Sequence, residues 1–274
     1  WLWWPVGLLL ATALTVCLGV LGKYVPHLTF LDILLSDEPV PELNRYYQRL
    51  VARDQDGAVE IVEDLLETQA LTDVYEAVLL PALYYTEQDQ RRGNLTADEA
   101  RYIYQRTSEL IDNLSAAPAV TSAAEVPLVS EEDAAAVRPP PVRMLACPAH
   151  DEADAVALQM LQQVLDPRRF VVECTKSTLL TAEVLSLVEQ TTPALVCIGL
   201  VPPGGFAQTR YLCKRLRARF PTLPIVVGCW GGPNDEAAHL ARLGLDGIAH
   251  TSTTLLETRN QMMQVPQRHT PLVP

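Results

Sequence analysis

The chain has 274 residues, enough for one large or two small domains with real cores, and 49% of them are apolar, which excludes wholesale disorder. Its formal net charge of −12 argues against a nucleic-acid partner, whose phosphates would be repelled. The charge is uneven: residues 41–115 carry 15 acids against 7 bases, residues 142–266 carry 11 of each, and a boundary is expected between them.

Residues 1–22 contain no charge, and Lys23 ends the run. At 1.5 Å per helical residue that length crosses a hydrocarbon core. Trp1, Trp3 and Trp4 suit an interfacial aromatic belt, and a signal peptide would want a basic start and a shorter apolar stretch. Residues 1–23 are therefore expected to span a membrane, with the chain after residue 23 cytoplasmic by the positive-inside rule. The chain opens on Trp, so an upstream segment is expected as well. Residues 24–40 form a juxtamembrane segment, in which Leu28, Leu31, Leu34 and Leu35 repeat at helical spacing.

Residues 41–115 read as four helices. Pro41 opens the first, and Val59, Val62, Leu65 and Leu66 line one face of the second. The third stops near Gly93 and should kink at Pro81, and Thr96 with Glu99 forms a capping box for the fourth. Short connections imply an antiparallel bundle. Residues 116–141 are rich in Ala, Pro and Ser and read as a linker; residues 267–274 are a tail.

From residue 142 to 266 apolar strand-like runs alternate with amphipathic helices. The strands end near 147, 174, 199, 228 and 250, with helices near 152–165, 181–190, 206–219, 234–243 and 253–263. The expected fold is α/β: an N-terminal transmembrane helix, a four-helix bundle, then a flavodoxin-like, doubly wound five-stranded parallel sheet. Such a sheet holds ligands at the carboxyl ends of its strands. That rule collects Cys147 to Asp151, Thr175 to Ser177, Gly199 to Gly205, Gly228 to Pro233 and His250 to Ser252.

A phosphoacceptor receiver needs Asp after the third strand and Lys after the fifth, where this chain has Gly199-Leu200 and Ala249-His250. A dinucleotide fingerprint needs glycines after the first strand, where "CPAHDEAD" has none. Six cysteines without a CxxC pair read as buried reduced thiols. Cys147 lies three residues from His150 with no third orienting group, so no enzyme is expected. Gly204, Gly205, Gly231 and Gly232 either serve turn geometry or offer free N–H groups at helix starts. His150 either grips a ligand or, with Asp151 and Glu152, only caps a helix.

The layout of helical bundle, linker and five-stranded α/β domain with a histidine after the first strand resembles cobalamin-binding modules. "LTDVYEAVLLPALYYTEQDQRRGNLTADEA" is similar to the helical cap of that family, and "AHDEADAVALQML" to its DxHxxG turn and helix. The resemblance implies cobalamin as cofactor, with His150 as the lower axial ligand of the metal. It places Asp151, Gly199, Val201, Gly204, Gly205, Gly228, Gly231 and Gly232 around it. Several family positions differ. Pro148 stands at the motif's Asp and Ala153 at its Gly. Val201-Pro202-Pro203 replaces the Ser-x-Leu of the loop that wraps the nucleotide tail, and Gly228-Cys229 replaces the glycine pair. Gln90, Ala100 and Arg101 stand where light-sensing caps carry a Trp and a Glu-His pair.

Separately, "WPVGLLLATALTVCLGVLGKYVP" resembles the last membrane span of the autoinducer-2 exporter family of permeases. Together the resemblances imply a cytoplasmic ligand-binding or regulatory module of such a transporter, its corrin binding lost or altered. The alternative they leave open is a membrane-tethered cobalamin sensor. The partners expected are the membrane, an upstream permease segment and a small-molecule ligand; self-association into a homo-oligomer stays open.

Overall fold

The computed structural model describes residues 41–116, 141–177, 179–232, 236–245 and 247–264. The expected membrane span, juxtamembrane segment and tail, and the linker over 117–140, lie outside them. Among the described residues no helix is long and apolar enough to cross a membrane.

The helical region has four helices: α1 (Glu42–Val51), α2 (Gln55–Leu66), α3, which runs from Leu71 to Arg92, and α4 (Ala97–Ala116). Tyr46 and Leu50 on α1 and Ala58, Ile61 and Val62 on α2 are buried at the spacings that share a helix face. Asp54 caps α2 by accepting the Gly57 N–H at 3.1 Å. In α3 the strain of Pro81 is not relieved by a simple kink. Tyr75–Leu79 forms a π-helical turn in which the Leu80 N–H reaches the Tyr75 carbonyl. The wider turn makes room for a ring that would strike the carbonyl four residues back. Gly93 (φ +79°) ends α3, and its N–H bonds the Gln90 carbonyl at 3.1 Å. The Thr96–Glu99 box starts α4, with Thr96 N–H to Glu99 Oε2 at 2.8 Å and Glu99 N–H to Thr96 Oγ1 at 3.3 Å.

The second region alternates β1 (Val142–Pro148), α5 (Glu152–Val164), β2 (Phe170–Cys174), α6 (Thr181–Thr191), β3 (Leu195–Leu200), α7 (Phe206–Arg219), β4 (Ile225–Cys229), α8 (Glu236–Leu243), β5 (His250–Ser252) and α9 (Leu255–Gln264). All strands pair in parallel, in the order β2-β1-β3-β4-β5. The central strands are buried on both faces, which explains their unbroken apolar runs. Successive residues divide between two cores. Met144, Ala146, Cys197 and Val226 face α5, α9 and the helical bundle, while Leu145, Cys147, Val196, Ile198 and Val227 face α6 and α7.

The first of these cores is continuous with the interior of the bundle, through Ile103, Ile111, Ala153, Ala157 and Leu161. Polar seams reinforce it. Ser108 Oγ donates to Gln159 Oε1 (2.8 Å), Gln163 Nε2 donates to the Ile111 carbonyl (2.7 Å), and Tyr75 Oη donates to Gln163 Oε1 (2.5 Å). The bundle thus lies along α5 and over the carboxyl end of β1.

Candidate site at the carboxyl ends of the strands

The turn after β1 is built from its carboxylates. Asp151 caps α5, accepting the Asp154 N–H at 3.3 Å. Asp154 in return accepts the N–H groups of His150 (2.8 Å) and Asp151 (3.3 Å) on one oxygen. Its other oxygen accepts the Val201 N–H at 2.6 Å, tying the end of β3 to the β1 turn. Asp151 is therefore the cap, and the His150 imidazole stands outside the capping network.

From the bundle, Glu87 reaches the same place. It is 4% exposed and accepts the Tyr104 hydroxyl at 2.8 Å and Arg91 Nε at 3.4 Å. It also shares a side-chain hydrogen bond with Asp151. Burial, and then the Glu87 carboxylate, push the Asp151 carboxyl up to about 6. Asp154 is raised well above the usual carboxylate range, first by burial and then by Asp151, which together outweigh its three N–H donors. Burial, followed by Glu87, also raises the Tyr104 phenol. A proton on this cluster lets one carboxyl donate to another and hold the bundle onto the sheet ends.

Above the cluster is a cavity of about 590 Å³, lined among others by Glu87, Gln90, Arg91, Arg101, His150 and Ser177. Asp151 lines it as well. A second cavity, about 520 Å³, shares His150 and Arg91 and adds Gly204, Gly205, Arg210 and Arg242. The Gly205 backbone is left-handed (φ +71°), and a Cβ there would sit 3.5 Å from the His150 Cβ. At Gly204 the nearest side chain is the Arg91 guanidinium, so Arg91 reaches from the bundle onto this loop.

The expected site residues do not converge on one place. His150 and Asp151 line the first cavity, and His150, Gly204 and Gly205 the second. Gly231 and Gly232 line a third, of about 420 Å³, against Leu80 and Tyr84 of the bundle. Gly199, Val201 and Gly228 are buried beneath the surface. Of the cap positions, Gln90 and Arg101 face the first cavity, whereas Ala100 is buried in the bundle. Among the described residues no group of three or more His, Cys, Asp or Glu is placed to hold a metal ion.

What covers Gly199 and Gly228 is Trp230. Its indole is fully buried, and its six-membered ring lies where a side chain on either glycine would project. The Trp230 N–H bonds the Leu200 carbonyl at 2.9 Å, and its Nε1–H donates to Thr258 Oγ1 at 3.0 Å. Thr258 in turn pairs with Ser252 Oγ at 2.6 Å. Trp230 thus locks β5 and α9 to the ends of β3 and β4.

Sequence reasoning did not single out Glu87 or Tyr104, and it met Trp230 only as one residue of the stretch from Gly228 to Pro233. Glu87 follows Leu79, Leu80 and Leu83 on the buried side of α3, and an acid in that register is a readable sign of a buried partner. The thiols of Cys147, Cys197, Cys213 and Cys229 are buried, and burial pushes the Cys147 thiol up to about 12.

No family model and no curated protein matches the chain. Among solved structures, the monomethylamine corrinoid protein of Methanosarcina barkeri is similar, with a TM-score of 0.53 and 11% identity over 82% of this chain and 98% of that one. A novel cobalamin-binding protein from Desulfitobacterium hafniense DCB-2 aligns at 12% identity and a TM-score of 0.36, over 82% of this chain and 98% of its own. The methanol:cobalamin methyltransferase complex MtaBC from Methanosarcina barkeri aligns at 11% identity and a TM-score of 0.34, over 85% and 86%. At such identity the first likeness is one of fold alone: a helical region followed by a five-stranded parallel sheet.

Proposed function

We propose that this chain is a ligand-binding regulatory module, built on the cobalamin-binding type of fold, whose ligand lies against His150 between the helical bundle and the strand ends. The observation that carries this is the first cavity. One wall is Glu87, Arg91 and Arg101 of the bundle, the other is His150, Asp151 and Ser177 of the α/β region, and a ligand there touches both. Such a ligand biases whatever the bundle is attached to only if it binds two arrangements of the walls unequally. Residues 1–23, resembling a permease span, are the proposed output: a membrane tether passing the change to an upstream transporter segment.

Cobalamin with its nucleotide tail inserted does not fit this site. The tail would run beside Val201–Pro203 and Gly228, and the Trp230 indole occupies the space between Gly199 and Gly228. Pro148 also removes the carboxylate that would orient an axial histidine. Both features support an altered mode of corrin binding. Labels at the exposed positions Arg45 and Gln190 of the full chain report the bundle-to-sheet distance. Addition of a corrinoid lacking the tail, cobinamide, should change that distance, and His150→Ala should abolish the change. A pair that stays rigid with and without cobinamide would sink the regulatory reading.

A further inference from the structure

We infer that Trp230 is the resident occupant of a base-sized slot at the ends of β3 and β4, and that it restricts the site to tail-less corrinoids. The walls of the slot are what two glycines leave. At Gly228 the three atoms nearest an added Cβ all belong to the Trp230 indole, and at Gly199 a Cβ would meet the Leu158 side chain first and then the Trp230 six-membered ring at 2.9 Å. Two strands therefore omit a side chain at the positions where one bicyclic aromatic is seated. The seat is polar on one side only. The indole N–H meets Thr258, which is itself held by Ser252 and by the Thr254 carbonyl at 2.7 Å.

Indole and benzimidazole are both fused six- and five-membered rings of nearly the same outline. A benzimidazole base on a ligand tail would need the volume the indole already fills. The indole cannot be displaced without leaving the Thr258–Ser252 pair without its donor and opening a void in close-packed core. A corrin ring makes no such demand, since His150 lies at the rim, where the first two cavities meet. Arg91, which crosses between them, has a side chain 46% exposed and can swing aside. Trp230 is thus a specificity-determining residue that touches no ligand itself.

This rests on the reading that the ligand lies against His150, and it is tested by two measurements on the full chain. The first is absorption titration of the wild type. Cobinamide should bind at least tenfold more tightly than hydroxocobalamin, with a spectral shift that His150→Ala removes. Cobalamin binding as tight as cobinamide binding, or tighter, overturns the inference. Binding of neither overturns the ligand class. The second uses Trp230→Gly, checked for folding by circular dichroism. It should take up free 5,6-dimethylbenzimidazole saturably, with a rise in Tm that the wild type does not show, because a buried apolar cavity of matching shape accepts an aromatic guest. It should also erase the preference for cobinamide. A folded Trp230→Gly with no response to the bicycle overturns the slot even where corrinoid binding is seen. Loss of the ligand-linked distance change with the cobinamide preference intact would instead remove only the regulatory reading.

Discussion

Asp154 shows how much one carboxylate can organise. It accepts three backbone N–H groups from two strand ends, and it is 1% exposed. Asp154→Ala leaves those donors unpaired, and at about 1 kcal/mol or more each the expected loss is about 3 kcal/mol, read as a lower midpoint in urea denaturation. The neighbouring Asp151 sets a pH dependence. Its folded-state value, about 6, lies above the ordinary carboxylate value, so its contribution is fully present below about pH 4 and is lost as pH rises through 6. Asp154, shifted the same way, adds to the trend. Stability should therefore fall between pH 4 and 7 by an amount on the order of 2 kcal/mol from Asp151. Asp151→Asn should flatten that part of the profile. A stability that rises monotonically over the same range would contradict the buried, protonated cluster.

At the scale of elements, the contact between α4 and α5 carries the bundle. Gln163 of α5 joins two bundle helices to it, accepting from Tyr75 Oη of α3 and donating to the Ile111 carbonyl of α4. Gln163→Ala removes both bonds at a part-buried seam and should cost about 1–3 kcal/mol. Gln163→Glu, able to accept but no longer to donate when ionised, should keep the Tyr75 bond and lose the other. A double-mutant cycle with Tyr75→Phe separates the two. The strands needed no such help, because their unbroken apolar runs already called for burial on both faces.

For the molecule as a whole, the decisive fact is that the bundle and one face of the sheet share a single core. The uneven charge of the two segments, one acidic and one neutral, suggested separate bodies joined by a linker. Instead, Ala153, Ala157 and Leu161 of α5 belong to the same buried cluster as Ile103 and Ile111 of α4. Shared burial makes unfolding cooperative. Thermal unfolding followed at a bundle probe and at a sheet probe should therefore give coincident transitions. Two transitions separated by more than about 5 °C would mean the shared face contributes little.

The strands, the helices that follow them, the four-helix region and the capping box at Thr96 were all readable from the chain. Each rests on periodicity or on pairs three or four residues apart, and such signals survive in one dimension. So did the place of His150 on the turn after β1, since strand-to-helix switches mark the ligand end of a parallel sheet. The partners of that turn were not readable. Glu87 and Asp151 lie 64 positions apart and meet only because α3 packs over the end of β1. Trp230 looked like one more residue of a glycine-rich turn, because nothing local says that its ring will fall across Gly199 and Gly228. Which cavity stays open and which is closed from within depends on the crossing of distant elements, and that was decided by tertiary packing alone.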